Sequence, residues 1–400
     1  MKKIHIFLLM LIMIFDSSCG MFEKDFSGKI KKDTVWNGRI LLSGDIIVEK
    51  DVTLKISPGT RINYIRGNKF THSADIIKDM YGNTVDILKQ DKIEIVIIGT
   101  IKATGTEKRN IYFNKDNNLN AGSIIFFGRK SDSCISYCTI STDDVAIRCY
   151  DYSNPSIEHN DIKNNTVGAI GCWNYAAPVI LHNRIRQNKY GVGCSDLSQA
   201  RIIDNDISDN KATGVFCEGA SIARVKNNVL SGNNVGIASG NMAEPVIENN
   251  KVTGNGTGIG CWDSSKPVLK RNIIERNVAG ILTLSDSAAV IDSNTIQTNG
   301  SGIACGNTSG PSIINNDIVK NEQGIVCSDT SRAIIKNNNI NHNNYGIEAR
   351  DASAPLINNN KFGNNESAIK INRNAYPVMG KNEFVDNKTN TQDARALLNK

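Results

Sequence analysis

The residues that could do chemistry recur at fixed places of a repeating sequence. Tyr150, Trp173 and Trp262 each directly follow a cysteine, in Cys149-Tyr150-Asp151, Cys172-Trp173-Asn174 and Cys261-Trp262-Asp263, and Glu218 follows Cys217 in the same way. One place further on runs a file of short polar side chains: Asp151, Asn174, Asp196, Asn241, Asp263, Asn307, Asp329 and Asp351. An aromatic face beside carboxylates and amides is what a sugar ring requires, an apolar surface to stack on and acceptors for its hydroxyls. The candidate carbohydrate-binding strip is therefore Tyr150, Trp173, Asp196, Glu218, Trp262 and Asp263. The Asp/Asn file has a plainer use as well, because such side chains cap turns by bonding the backbone. Next to the strip, Gly171, Gly193, Phe216, Ala238, Gly260, Leu282, Ala304 and Val326 form a small, apolar outward file, suited to a flat binding surface.

His159, His182 and Asp204 form a second constellation, spaced one repeat apart. In neighbouring strands about 4.8 Å apart, two imidazoles and a carboxylate can hold a metal ion or serve as an acid/base pair. Arg271 and Lys381 take the same place in later units, so this file faces solvent, and a solvated surface pair is the plainer reading. If the chain is an enzyme, Asp196, Glu218, His159 and His182 are the groups to test. No cofactor is implied.

The elements that position these residues follow from asparagine. It returns eleven times at each of two phases of a 22-residue period, from Asn160 to Asn382 and from Asn165 to Asn387. An aliphatic residue precedes the first Asn by three, as at Ile157, Ile180 and Ile202, and another follows it by two, as at Ile162, Ile185 and Ile207. Glycine follows by eight, as at Gly168, Gly191 and Gly236. Such a period marks a solenoid. Apolar residues alternate over short runs punctuated by Gly, Asn, Asp and Pro, which is strand periodicity. No helical stripe appears, and the leucine consensus of a leucine-rich repeat of this length is missing. The expected fold is all-β: a right-handed parallel β-helix of about fifteen turns, with Asn side chains bonding along the stack at buried corners. The coil is expected over residues 31–387, interrupted by an insertion at 63–92 and followed by a tail or cap at 388–400.

Units such as Asn250-Lys251-Val252-Thr253-Gly254-Asn255-Gly256-Thr257-Gly258-Ile259 resemble the pectate-lyase-like superfamily. Within it they are similar to the exported NosD-like and carbohydrate-binding/sugar-hydrolase repeat group. Trp36-Asn37-Gly38 through Pro58-Gly59-Thr60 resembles the start of such domains. The resemblance covers roughly residues 36–387 and speaks to fold more than to function. The superfamily's enzymatic signatures are missing: no Asp-Pro-His-Glu run, no Gly-His-Gly or Arg-Ile-Lys, no Arg-x-Pro-x-x-Arg. The leading expectation is an exported carbohydrate-binding or surface-scaffold protein. The alternatives are a polysaccharide lyase, hydrolase or epimerase, and, as the NosD resemblance implies, a periplasmic metal-handling accessory protein.

Residues 1–18 read as a lipoprotein-type signal peptide: Lys2 and Lys3, an apolar run from Ile4 to Phe15, then Ser17-Ser18-Cys19. The run is too short to span a bilayer. Cys19 is the expected lipidation site, with Asp16 standing where such sites usually carry Leu. The expected location is the cell envelope, held to a bacterial membrane by lipid alone. The formal charge of +6 is modest and spread along the chain, without the basic clusters and interleaved aromatics of a nucleic-acid groove. Seven of the ten cysteines share one repeat position: Cys149, Cys172, Cys194, Cys217, Cys261, Cys305 and Cys327. Alternation points them inward, where they act as small hydrophobes.

Overall fold

The computed structural model describes residues 24–69, 92–115, 121–128 and 132–395. The signal peptide and Cys19 lie outside the described residues, as does most of the 63–92 segment, whose opening residues continue the strand Arg61–Lys69.

Each coil contributes three short strands, for example Ser156–Glu158, Asp161–Lys163 and Gly168–Cys172. Every strand pairs in parallel with its counterpart one coil away, so the faces stack without crossing. The first strand of each coil builds a 15-stranded sheet. The other two faces form one 30-stranded sheet, because the long strand Arg39–Val48 runs through both. The coil reaches beyond the expected limits at both ends. Lys24–Ile30 pairs with Arg39–Val48, and Thr389–Asp393 pairs with Ser367–Ile371. The first coil carries no ladder Asn, and in the last coil, which holds Asn382 and Asn387, Asn390 stands where the repeat has glycine. Among the described residues no helix is long and apolar enough to cross a membrane.

Three physical requirements repeat along the regular coils from Asn160 onward. Inward aliphatics such as Ile157, Ile162 and Ile170 make one continuous core down the shaft. Each Asn along the two ladders donates from Nδ2 to the Oδ1 of the next Asn, at 2.9–3.2 Å in the first ladder and 2.8–3.2 Å in the second. The same Oδ1 accepts the backbone N–H of the preceding coil, and a second Nδ2 proton reaches a backbone carbonyl, as in Asn250 to Val225. The backbone groups that these amides meet at the two Asn bends thereby keep partners away from water. Finally, each bend turns through a left-handed residue: His159, His182 and Asp204 at one corner, Asn164 and Gln187 at the second, Asp151, Asn174, Asp196 and Asp263 at the third. Short polar residues and glycine bear that conformation best, which accounts for much of the Asp/Asn file.

The cysteine file is one stack. Cys149, Cys172, Cys194 and Cys217 face one another coil to coil, followed by Ser239, Cys261, Thr283, Cys305, Cys327 and Ala349. All are buried, and all the cysteines of the described residues are free thiols. Burial pushes the Cys261 thiol up to about 12. The glycine file is set by close approach: a Cβ on Gly258 would stand 2.4 Å from the Gly280 carbonyl oxygen of the next coil. Opposite Gly191 in that file stands Ala169 and not Gly168, because the coil of Gly168 carries one extra residue and Gly168 pairs with Tyr190.

Candidate functional site

The strip lies on the outer face of each coil's third strand and on the bend that follows. There Arg148, Gly171, Gly193, Phe216, Ala238, Gly260, Leu282, Ala304, Val326, Glu348 and Lys370 form a single outward file. Its small members do not make a bare floor. Gly171, Gly193 and Gly260 are buried because aromatic rings occupy the space a side chain would take. Trp173 folds back over Gly171, where a Cβ would stand 2.1 Å from its Cη2. Trp262 repeats this over Gly260, at 2.2 Å from Cζ3, and Phe216 covers Gly193 of the preceding coil, at 2.3 Å from Cζ. Trp173 and Trp262 are half-buried, with part of each indole open to solvent.

Tyr150 has Arg148 two residues before it and no glycine seat. It is held between other rings: Phe127 stacks on it at 5.3 Å and Trp173 at 4.9 Å, with interplanar angles of 16° and 15°. Across the left-handed residues Asp151 and Asn174, Tyr152 stacks on Tyr175 at 4.8 Å. Phe127, Tyr152, Tyr175 and Phe216 thus join the strip. The parallel triplets Tyr150-Asp151-Tyr152 and Trp173-Asn174-Tyr175 were the available sign of the second stack.

Of the strip's acids, Asp196, Glu218 and Asp263 are exposed. Glu218 accepts the Ser195 hydroxyl at 3.0 Å, and Asp263 that of Ser285 at 3.3 Å. Asp196 and Asp263 sit at the left-handed bend, with φ of 58° and 50°. Ser195, Glu218 and Gly240 separate Trp173 from Trp262, a spacing of four coils or about 19 Å. The six residues therefore line an open track along the shaft and do not converge on one point.

His159 and His182 stack at 5.0 Å, and Tyr137 stacks on His159 at 4.9 Å. The imidazole lone pairs lie in the ring planes, so stacked rings present them side by side rather than toward one ion. Among the described residues no group of three or more His, Cys, Asp or Glu is arranged to hold a metal. Asp204 continues this file at the same left-handed corner.

A charged cluster not singled out in the sequence lies at the N-terminal end of the outward face. Arg148 bridges Glu94, at 3.0 Å, and Asp144. The Ser123 N–H donates to Glu94, and the Glu94 N–H donates to Asp45 at 2.9 Å. All four charged groups are buried. Desolvation raises the Glu94 carboxyl to about 7, against the opposing pull of Arg148. Arg148 also engages Tyr150, which joins the cluster to the aromatic stack. Glu94 interrupting Ile93–Ile97, and Arg148 in a file of small residues, were the readable signs.

The family profile described as the right handed beta helix region matches residues 57–217 and 239–389, well over half of the chain. The chain belongs to that family. A second profile, described as periplasmic copper-binding protein (NosD), matches residues 169–289 of this β-helix and suggests an exported protein. Comparison with curated protein sequences finds no match. Among solved structures the β-helix is similar to a point mutant of the periplasmic alginate epimerase AlgG, at 14% identity and a TM-score of 0.50, covering 76% of this chain and 77% of that one. It is also similar to the A-module of the mannuronan C-5 epimerase AlgE6 of Azotobacter vinelandii, at 14% identity and a TM-score of 0.47, covering 95% and 93%. At these identities the likeness concerns the fold.

Proposed function

We propose that this β-helix protein is exported to the cell envelope and binds a glycan along the outer face of the long sheet, on the track from Tyr150 to Trp262. The observation that carries the reading is the repeated seat Gly171-Cys172-Trp173 and Gly260-Cys261-Trp262, in which an indole lies over a glycine and stays partly open to solvent. A ring so held loses little conformational freedom on binding, and that favours stacking against a sugar. Asp196, Glu218 and Asp263 beside it supply acceptors for hydroxyls. The matched structure named for alginate supports a polysaccharide as the ligand class by analogy of fold. Cys19 as a lipid anchor belongs to the same proposal.

The double variant Trp173→Ala plus Trp262→Ala tests it. Binding to a panel of oligosaccharides should weaken at least tenfold while the melting temperature stays close to that of the parent. Unchanged binding removes the strip from consideration. No turnover is expected with any glycan that binds, and new reducing ends, unsaturated products or inverted uronates would favour the enzymatic reading instead.

A further inference from the structure

The shaft pairs its charges closely on other faces. Asp161 lies against Lys163 and Arg186, Glu248 against Lys226 and Arg271, Glu275 against Lys251 and Arg276, and Glu348 against Arg350 and Lys370. The track differs. From Trp173 to Thr330 the third strands, with the three residues that follow each cysteine-file position, carry Asp196, Glu218, Asp263, Asp286 and Asp329 and no Lys or Arg. None of these five carboxylates makes an ion pair among the described residues. Their neighbours are hydroxyls or backbone: Ser195 on Glu218, Ser285 on Asp263, Ser264 on Asp286 at 2.6 Å, and the Asn307 N–H on Asp329 at 2.6 Å. Lys189 and Lys211 stand at the opposite end of the strand, with the Lys189 amine over the Tyr190 ring, and Lys266 and Arg332 follow three residues after Asp263 and Asp329 without forming an ion pair with these carboxylates among the described residues. A chain of positive overall charge thus presents uncompensated negative charge along the same line as its seated indoles.

We infer that the track selects a glycan bearing free amino groups, a partly de-N-acetylated glucosamine polymer, and rejects polyuronates. The inference rests on the aromatic-track reading above and gives it a substrate class. The apolar sugar face stacks on Trp173 or Trp262, and an ammonium on the same chain donates a charge-assisted hydrogen bond to Asp196 or Glu218, which lie one coil apart. A uronate carboxylate at that place meets like charge and no cation. The selection runs opposite to what the alginate-directed names of the matched structures would suggest.

The test uses the mature chain and three soluble oligosaccharides of matched length: a fully N-acetylated glucosamine oligomer, its de-N-acetylated form at mildly acidic pH, and a mannuronate oligomer. Exposed carboxylates each contribute up to about fivefold at low salt. The amino form should therefore bind about tenfold tighter than the acetylated form, and the uronate should not bind measurably. The preference should collapse in the double variant Asp196→Asn plus Glu218→Gln and at high salt, as screening requires, whereas Trp173→Ala should weaken the acetylated and amino forms alike. If the acetylated and amino forms bind equally and the double variant changes nothing, the charge selection is overturned and the aromatic track stands. Preferential binding of the uronate overturns the selection outright. Binding of none of the three removes both readings.

Discussion

Gly171 and Gly260 act through the side chain they lack. Each leaves a place on an otherwise continuous sheet surface that an indole two residues later fills. Gly171→Val plus Gly260→Val should unseat both rings and reduce glycan binding nearly as far as removing the tryptophans. The rings lie on the outer face and not in the shared core, so the melting temperature should shift by only a degree or two, about 1 kcal/mol of stability. Calorimetry and binding measured on one preparation separate the two effects. Glu94 makes a different prediction. Its carboxyl titrates near 7 when folded and at about 4.5 when unfolded, so the native state holds the extra proton between those values. The stability this contributes is fully present below about pH 4.5 and is lost as pH rises through 7, at most about 3 kcal/mol. Glu94→Gln should flatten the fall in melting temperature between pH 5 and 8 relative to the parent. An equal pH dependence in both proteins would mean that Glu94 is ionised throughout. At this scale the sequence was only partly readable. Trp173 and Trp262 could be named from their repeat position, but their seating on glycine depends on side-chain direction, which spacing does not encode. The Glu94–Arg148 pair joins residues 54 apart in sequence and lies in the least regular coils.

The Asn ladder shows why the strands themselves were legible. Every coil needs the same amide at the same corner, so one physical requirement is written into the chain eleven times over. Asn250→Ala would strip the Asn228 N–H of its partner and remove one donor from the Val225 carbonyl. A buried backbone N–H left unpaired costs about 1–3 kcal/mol, and chemical denaturation should report a loss in that range. Asn250→Asp should also be destabilising, because it places a charge where Nδ2 donated. The thiol file gives a second test. Cys149, Cys172, Cys194, Cys217, Cys261, Cys305 and Cys327 are buried within the shaft, so an alkylating reagent should modify Cys134, the part-exposed cysteine among the described residues, well before any of them. The seven should then react together on unfolding; early labelling of Cys172 or Cys194 would mean that the coil opens locally. The end strands Lys24–Ile30 and Thr389–Asp393 escaped the sequence reading for a related reason. The N-terminal coils lie before the ladder begins at Asn160, and in the last coil Asn390 replaces the glycine of the repeat, so the signature thins out at both ends.

On the scale of the whole molecule, the chain is a stack in which each coil packs on the one before and the one after, and in which local pairing sets the length. Excising residues 228–249 removes one full period and rejoins Asn227 to Asn250 in register. That variant should fold with a similar melting temperature, and it should bring Trp173 one coil nearer Trp262, shifting the preferred oligosaccharide to a shorter one. Removing half of that span should be far more destabilising, because the joined coil would lack part of its three strands and leave the facing strands of both neighbouring coils unpaired. The same neighbour-only bonding governs how the protein responds to load. The axial hydrogen bonds join like coils by like bonds, so tension applied to the two ends should peel the shaft from its termini one coil at a time. Each 22-residue event would release roughly 70 Å of slack, giving a force record of evenly spaced teeth in place of a single global rupture.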